Sequence, residues 1–192
     1  MNGISDDELI NRTLTGDERA FGLLVDKYKK RIYYLALRMT HNHDVADELA
    51  QESFVRAYQA LNRFKRGLSF YTWIYKICLN LTINFIKREK FTVSTDDFEE
   101  TTLPDSLITY DSQLEQIISS EQAAVVRMEL EKIPSEQKAA FLLKTYEDLS
   151  YEQIAEIMEC SIGTVMSRLY RARAKLRKAL KEYELRKGSN NE

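Results

Sequence analysis

One long stretch without a basic residue divides this chain into two parts. Between residues 91 and 126 there are 8 acidic side chains and no lysine or arginine, although the whole chain of 192 residues has a formal net charge of only -2. The opening part of this stretch, FTVSTDDFEETTLPDSLITYDSQ, contains turn-forming residues and no regular apolar spacing, which is typical of a connector. We therefore predict two domains, at residues 1–90 and 122–192, joined by an acidic linker at residues 91–121.

On both sides of the acidic linker, apolar residues recur at helical spacing. Steps of three and four residues connect eight positions of the first domain: Phe21, Leu24, Val25, Tyr28, Ile32, Leu35, Ala36 and Met39. Such spacing places the side chains on one face of a helix or of a helix pair, and only 6 glycines and 2 prolines interrupt the whole chain. We predict an all-α protein of two small helical domains, in which Asp17, Ser69 and Ser161 cap helices.

A predicted helix at residues 44–62 carries acidic and amide side chains on a single face. They follow one another at helical spacing and are Asp44, Asp47, Glu48, Gln51 and Glu52. Two interpretations stay open at this point. Either the acids form a solvated face near a helix N-terminus, where the helix dipole favours negative charge, or they bind a basic partner.

Basic and amide side chains are mixed with aromatic ones in the next stretch, NRFKRGLSFYTWIYKICLNLTINFIKRE. We predict a short loop at residues 62–68 and a helix to about residue 88, which carries Lys76 and Asn80 among aromatic rings. Cations bind phosphates, rings stack on bases and amides contact base edges, so this mixture suits single-stranded nucleic acid. We expect most apolar residues of the helix to belong to the core instead, namely Phe70, Trp73, Ile74, Ile77, Leu81 and Phe85.

The last part of the chain has the pattern of a helix-turn-helix. SYEQ at residues 150–153 has the spacing of a capping box before a short helix, and ECS forms a tight turn. The helix after it, SIGTVMSRLYRARAKLRKAL at residues 161–180, contains six basic residues and no acid. Its apolar stripe consists of Val165, Leu169, Ala172, Leu176 and Leu180, and its opposite side carries Thr164, Ser167, Arg168, Arg171, Lys175 and Lys178. This favours a helix that reads duplex DNA in the major groove; a solvated basic helix is the alternative.

Three segments together resemble the extracytoplasmic-function (ECF) sigma factors of bacterial RNA polymerase. DVADELAQESFVRAYQALNRF is similar to the family's core-polymerase-binding region, SFYTWIYKICLNLTINFIKRE to its promoter-melting region, and LSYEQIAEIMECSIGTVMSRLYRARAKLRKAL to its upstream-element helix-turn-helix. The resemblance implies a region-2-like helical bundle followed by a region-4-like helix-turn-helix. It also implies an alternative sigma factor that directs core polymerase to a specific set of promoters, in an envelope or stress response under anti-sigma control.

The resemblance assigns a role to each group of polar residues. The acidic face at Asp44, Asp47, Glu48, Gln51 and Glu52 would bind the clamp helices of the polymerase's largest subunit. The start-proximal promoter element would be bound by Arg56, Phe64, Lys65, Arg66, Lys76 and Asn80, with a flipped base held near Phe64 and Asn80. The upstream element would be read by Thr164, Ser167, Arg168, Tyr170, Arg171 and Lys175. The other implied partners are the flap of the second-largest subunit and an anti-sigma factor, and the acidic linker would thread toward the polymerase active cleft.

Two residues depart from the family's pattern. Met166 stands where many members have a basic residue, and Glu159 stands in the turn where glycine is usual. The first change would remove a contact to a phosphate or a base. If the turn needs a left-handed residue at position 159, the second change costs roughly 1 kcal/mol.

Several other functions are not expected from this sequence. We find no catalytic constellation and no phosphate-binding loop, so we expect no enzyme, no cofactor and no small-molecule substrate. His41 and His43 are too few for a metal site, and Cys78 and Cys160 lie in or beside apolar helical patterns that favour free thiols. We see no signal peptide and no membrane-spanning stretch, which favours the cytoplasm, where an anti-sigma factor could hold the chain at the inner membrane face. A helix-turn-helix regulator that binds operators without polymerase is the alternative function.

Overall fold

The computed structural model describes residues 4–65, 68–93 and 120–189, so Arg66 and most of the predicted acidic linker lie outside the described residues. Within these ranges the chain forms eight α-helices, one short 3₁₀ helix and no strand, and the all-α prediction is confirmed. In chain order the helices are α1 (Asp6–Leu14), α2 (Glu18–Thr40), α3 (His43–Ala60), the 3₁₀ helix (Leu61–Arg63), α4 (Phe70–Val93), α5 (Ser120–Glu131), α6 (Ser135–Tyr146), α7 (Tyr151–Ile157) and α8 (Ile162–Ser189).

Side-chain caps fix where several of these helices begin. Asp17 caps α2, as predicted, by accepting a hydrogen bond from a first-turn backbone amide at 3.1 Å. Ser161 caps α8 with a contact of 3.1 Å, and Ser69 makes a longer contact of 3.4 Å at the start of α4. Asn42 caps α3 at 3.1 Å, directly after His41 has ended α2 in the left-handed conformation at φ 55. The chain therefore turns from α2 to α3 without a glycine.

Three helix positions differ from the sequence-based predictions. The sequence pattern does not predict α1, because its first turn is acidic, yet Leu9 and Ile10 are only 4% and 3% exposed. The fourth helix continues to Val93, past the predicted end near residue 88, and α5 begins at Ser120, inside the predicted linker. Neither extension contains a glycine or a proline, so nothing in the local sequence stops the helix.

Helices α2, α3 and α4 pack together to form the core of the first domain. Phe70, Ile74 and Leu81 of α4 are buried against α2 and α3, as predicted. Trp73, Ile77 and Phe85, which were also expected in the core, are half-buried at its edge. The buried hydroxyls of this core, Ser53 and Thr82, donate to backbone carbonyls one turn earlier at 2.6 and 2.8 Å. Helix α4 also contacts α6 and α7, so apolar side chains on nearly all of its sides are buried.

In the second domain, α5, α6 and α7 pack on α8, and the buried side chains there are continuous with the core of the first domain. The predicted apolar stripe of α8 is confirmed, because Val165, Leu169, Ala172 and Leu176 are all buried. Leu180, the last predicted member, is only half-buried. This packing turns the opposite side of α8 toward solvent.

The two domains pack against each other through a buried group of polar residues. The side chain of Glu147, which follows α6, is 9% exposed, and it accepts a hydrogen bond from the Tyr75 hydroxyl at 2.6 Å. The Tyr71 hydroxyl lies 3.4 Å from the same carboxylate, and the Arg38 guanidinium lies 3.8 Å away. We call these four residues the Glu147 cluster. It joins α2 and α4 of the first domain to the turn after α6.

Lys138 makes a second polar contact between the domains. It is 4% exposed, and its ammonium group donates to the Met39 carbonyl oxygen at 3.1 Å and to His41 Nε2 at 2.8 Å. Because a lysine ammonium group can only donate, His41 accepts through Nε2 and is neutral. Burial, together with the positive charges of Lys138 and Arg127, lowers the pKa of His41 to about 4.

Candidate nucleic-acid interface

The turn between α7 and α8 is fixed by local hydrogen bonds. Ser150 and Gln153 form the predicted capping box at the start of α7, with contacts of 3.2 and 2.9 Å. Glu159 is left-handed at φ 49, as a glycine-type position would be, so the backbone here is strained by roughly 1 kcal/mol. The Cys160 amide donates to the Ala155 carbonyl oxygen at 3.0 Å. These contacts set the direction in which α8 leaves the turn.

Cationic side chains cover the outer face of α8. Arg171 and Lys175 are exposed, together with Ser167 and Tyr170, and Thr164 and Arg168 are half-exposed. Among the described residues, no carboxylate lies within ion-pair distance of Arg171 or Lys175, and the ion pair at Lys178 is a long one of 3.9 Å. The positive charge of this face is therefore available to an anionic ligand.

Three of the predicted upstream-element residues already make contacts inside the protein. The Thr164 hydroxyl lies 2.9 Å from the hydroxyl of Ser161, and the Ser167 hydroxyl donates to the Thr164 carbonyl oxygen at 2.9 Å. Arg168 lies over the turn, with Nη1 at 3.5 Å from the sulfur of Cys160. Ser167 can still accept a hydrogen bond from a base, whereas a donor role would require its hydroxyl to rotate.

The predicted start-proximal residues in the loop before α4 differ in their exposure to solvent. Phe64 is only 9% exposed, and its ring packs on Trp73 and Phe70 at centroid distances of 5.0 and 6.2 Å. Lys65 beside it is exposed, and the predicted contact residue Arg66 lies outside the described residues. In this structure Phe64 holds the loop against α4.

Other predicted start-proximal residues form ion pairs or face solvent. Arg56 pairs with Glu52, a member of the predicted polymerase-binding face, at 2.6 Å. Lys76 pairs with Glu159 of the other domain at 2.7 Å. Asn80, one turn further along α4, is exposed. The structure therefore places these three residues in three different surroundings.

A cleft between the domains brings together residues from two predicted DNA sites. Asn80 of α4 and Arg168 of α8 both line it, together with Asn84, and its volume is about 250 Å³. Lys87 and Glu136 pair across one side of the cleft at 2.9 Å, and the hydrogen bond from Lys87 is the main reason that the pKa of Glu136 is lowered. The sequence does not predict this meeting, because the two sites lie in different domains.

The predicted polymerase-binding residues lie together along α3. Asp44, Asp47, Glu48 and Gln51 are exposed, and Glu52 is half-exposed. The Gln51 amide donates to the Asp47 carboxylate at 2.7 Å. Helix α3 thus presents a continuous acidic surface on the side away from its buried residues.

Sequence reasoning missed the residues that join the domains. For Lys138 a signal exists, because it precedes the buried Phe141 and Leu142 by three and four residues and so falls on the inner side of α6. Arg38 carries a similar signal, because it follows the buried Leu35 by three residues. For Glu147 there is none, since it reads locally as a solvated charge.

The sequence predicts no metal site, no membrane-spanning stretch and two free thiols. Within the described residues, no three side chains of His, Cys, Asp or Glu are grouped so that they could hold a metal ion, and no helix is long and apolar enough to cross a bilayer. His43 Nδ1 lies 2.6 Å from the Tyr33 hydroxyl. Both thiols are free, as predicted: Cys160 is half-exposed, and burial raises the pKa of Cys78 to about 11.

Comparison with known proteins identifies both domains. Residues 24–92 match the family model of sigma-70 region 2, and residues 123–176 match that of sigma-70 region 4. The chain is 37% identical over 180 residues to the RNA polymerase sigma-H factor of Pseudomonas aeruginosa, covering 91% of this chain and 93% of that protein. It is 35% identical to the ECF RNA polymerase sigma-E factor of Haemophilus influenzae, covering 88% and 92%. The chain belongs to the ECF sigma factors. This sigma factor is a transcription initiation factor, and the family resemblance of its sequence is confirmed.

Two solved structures share the fold of this sigma factor. The sigma factor RpoE, crystallised with the anti-sigma factor NepR from Bartonella quintana, is 24% identical, with a TM-score of 0.65 over 84% of this chain and 96% of that one. CnrH, in complex with the cytosolic domain of CnrY, is 22% identical, with a TM-score of 0.67 over 92% and 97%. Both likenesses support the all-helical fold.

Proposed function

We propose that this sigma factor binds core RNA polymerase and directs it to a specific set of promoters through α3, α4 and α8. The observation that carries the proposal is the outer face of α8, because residues 161–180 contain six cations and no acid. A capped helix-turn-helix presents this face to solvent. Cations attract the phosphate backbone, and exposed arginines can bind guanine through two hydrogen bonds, so the face suits duplex DNA.

Within α8 the proposed roles follow from position along the helix. Ser167, Tyr170 and Arg171 are exposed in its first turns, where a recognition helix contacts base edges, with Thr164 and Arg168 beside them. Lys175 lies one turn after Arg171, and we assign it to the phosphate backbone. The upstream promoter element is the proposed ligand of this whole group.

The acidic face of α3 is the proposed contact with the clamp helices of the polymerase's largest subunit. Its support is the exposure of Asp44, Asp47, Glu48 and Gln51 on one side of one helix, next to Glu52. Complementary charge speeds association and suppresses wrong partners. Region 4 is proposed to contact the flap of the second-largest subunit.

The proposed start-proximal contacts use Asn80 and Lys65 directly. Both are exposed, whereas Phe64 is buried and is assigned to holding the loop beside them. Arg56 and Lys76 must exchange their carboxylate partners for phosphates before they can contact DNA. Asn80→Ala should therefore impair promoter opening, measured by permanganate reactivity, more than it impairs closed-complex footprints.

Promoter binding in this proposal requires the two domains to separate. Asn80 and Arg168, assigned to different promoter elements, line the same cleft of about 250 Å³. A single major groove is already about 12 Å wide, so a duplex cannot reach Arg168 inside this cleft while Asn80 contacts the other promoter element. We expect the sigma factor alone to bind promoter duplex poorly and to gain specific binding with core polymerase.

Control by an anti-sigma factor completes the proposal. The solved relatives RpoE and CnrH were each obtained in complex with a second protein, named as the anti-sigma factor NepR in one case and as a domain of CnrY in the other. We propose a partner of the same kind for this chain, acting in the cytoplasm or at the inner face of the membrane in an envelope or stress response.

Run-off transcription tests the proposed function. Purified core polymerase is combined with the sigma factor on a promoter library, and selected templates are sequenced. We expect a defined set of promoters that depends on the sigma factor. Tight, sequence-specific gel shifts by the protein without polymerase, together with no run-off product, would instead favour an operator-binding regulator.

A further inference from the structure

Helix α8 carries an apolar feature on its outer face in addition to the cations. Ile162, Met166 and Tyr170 follow one another at four-residue steps and are 41%, 53% and 69% exposed. Because four residues advance little more than one helical turn, the three side chains form a stripe along one side of the helix. We call it the α8 apolar stripe.

The α8 apolar stripe lies outside the hydrophobic core and does not face the other domain. The buried side of this helix is occupied by Val165 and Leu169. Arg168, which lines the cleft between the domains, follows Met166 by two residues and so points about 200° away around the helix axis. The stripe therefore stays open to a partner even while the domains are packed together.

The surroundings of the stripe limit the chemistry of that partner. Exposed apolar side chains that adjoin one another and are rimmed by polar residues occur at interaction sites. Arg173 and Arg177 follow Met166 and Tyr170 by seven residues, which places these cations on the same side two turns later, and residues 161–180 contain no acid. A suitable partner is anionic and offers small apolar groups. In its major groove duplex DNA presents both, because phosphates flank the C5-methyl groups of thymine.

We propose that the α8 apolar stripe contacts thymine methyl groups in the upstream promoter element, with Met166 as the central specificity-determining residue. The inference rests on the proposed function of α8 as the helix that reads this element. A methionine thioether is flexible and polarisable, so it can adapt to methyl groups at more than one position. Ser167 and Arg171 beside it contact polar base edges, and the stripe adds a preference for A·T pairs.

Replacing thymidine by deoxyuridine tests the proposal, because it removes the C5-methyl group and leaves the hydrogen-bonding edges unchanged. Each thymidine of a selected upstream element is replaced singly, and the affinity of holoenzyme is measured for wild type, Met166→Ala and Met166→Leu. Burial of one methyl group corresponds to roughly a three- to fivefold change in affinity. We expect that loss for wild type and Met166→Leu at one or more positions, and no loss for Met166→Ala.

Met128→Ala is the matched control, because Met128 is 63% exposed on α5 and does not belong to the α8 apolar stripe, so it should keep the wild-type sensitivity. Equal sensitivity of wild type and Met166→Ala, or insensitivity of wild type at every thymidine, would overturn the assignment. So would a loss of core-polymerase affinity by Met166→Ala without DNA, because the stripe would then bind protein. A failure of the proposed function itself would look different from a failure of the stripe assignment, because holoenzyme would then select no upstream element at all.

Discussion

The Glu147 cluster offers a direct measure of how firmly the two domains are held together. Glu147→Gln keeps the shape of the side chain and removes its charge. The Tyr75 hydrogen bond, 2.6 Å long, changes from charge-assisted to neutral, which costs about 1 kcal/mol. The Arg38 ion pair at 3.8 Å is also lost. Breaking a buried pair costs about 3–5 kcal/mol. We expect only about 1–2 kcal/mol here, because the contact is long and Arg38 stays stacked on Tyr146 at 4.1 Å.

Together these losses should weaken domain packing by about 2–3 kcal/mol, which corresponds to a fall of roughly 30- to 150-fold in the ratio of packed to separated molecules. Small-angle scattering measures the radius of gyration, and urea denaturation measures the free energy of unfolding. Glu156→Gln is the control, because it makes the same substitution at an exposed position of α7. If Glu147→Gln and Glu156→Gln agree in both measurements, the cluster does not hold the domains together and the reasoning is wrong.

Three further predictions concern the other contacts. Asp47→Lys combined with Glu48→Lys should weaken co-purification with core polymerase while circular dichroism stays unchanged, because the reversed charges repel a basic partner; unchanged co-purification would mean that this face is only solvated. Arg171→Ala should lose about 1–3 kcal/mol of base discrimination in the upstream element, whereas Lys178→Ala should lower the salt slope of binding by roughly 1 and keep the sequence profile. Holoenzyme binding to a randomised element at several salt concentrations separates the two, and a flattened salt slope with an unchanged profile for Arg171→Ala would contradict the assignment. Burial lowers the pKa of His41 to about 4. An unfolded histidine has a pKa of about 6.5, so as the pH falls the unfolded chain binds the proton before the folded chain does. The free energy of unfolding should therefore decrease between about pH 6.5 and about pH 4, by at most about 3 kcal/mol. His41→Asn suits the left-handed position and should flatten this dependence in urea denaturation at a series of pH values; an unchanged dependence would show that another group titrates.

Local signals in the sequence predict most of the helices because their causes lie within one turn. Asp17, Ser150 and Ser161 each accept a hydrogen bond from an amide two or three residues away, so the contact depends on adjacent residues alone. The buried stripe of α8 is equally local, since it depends on spacing. Helix α1 escapes prediction because the burial of Leu9 and Ile10 depends on α2, while the acidic turn before them reads as solvated.

The packing of the domains cannot be predicted in this way. Glu147 and Arg38 lie far apart in the chain, and each is of a residue type that is normally solvated. Asn80 and Arg168 likewise meet in one cleft only because α4 packs against the helix-turn-helix. Pairwise contacts of this kind leave no periodic trace in a single sequence. The assignment of individual residues to polymerase or promoter contacts stays a prediction.

The contrasting environments of the two cysteines give the native chain a built-in labelling position. Thiol reagents react with the thiolate, and Cys78 is buried with its pKa raised to about 11, whereas Cys160 is half-exposed. At neutral pH a maleimide dye should therefore attach once per folded molecule, at Cys160, and twice only after unfolding. Its neighbour Glu159 pairs with Lys76 of the other domain at 2.7 Å, so the dye would lie at the seam between the domains. Fluorescence from that position would follow domain separation during polymerase binding without any mutation.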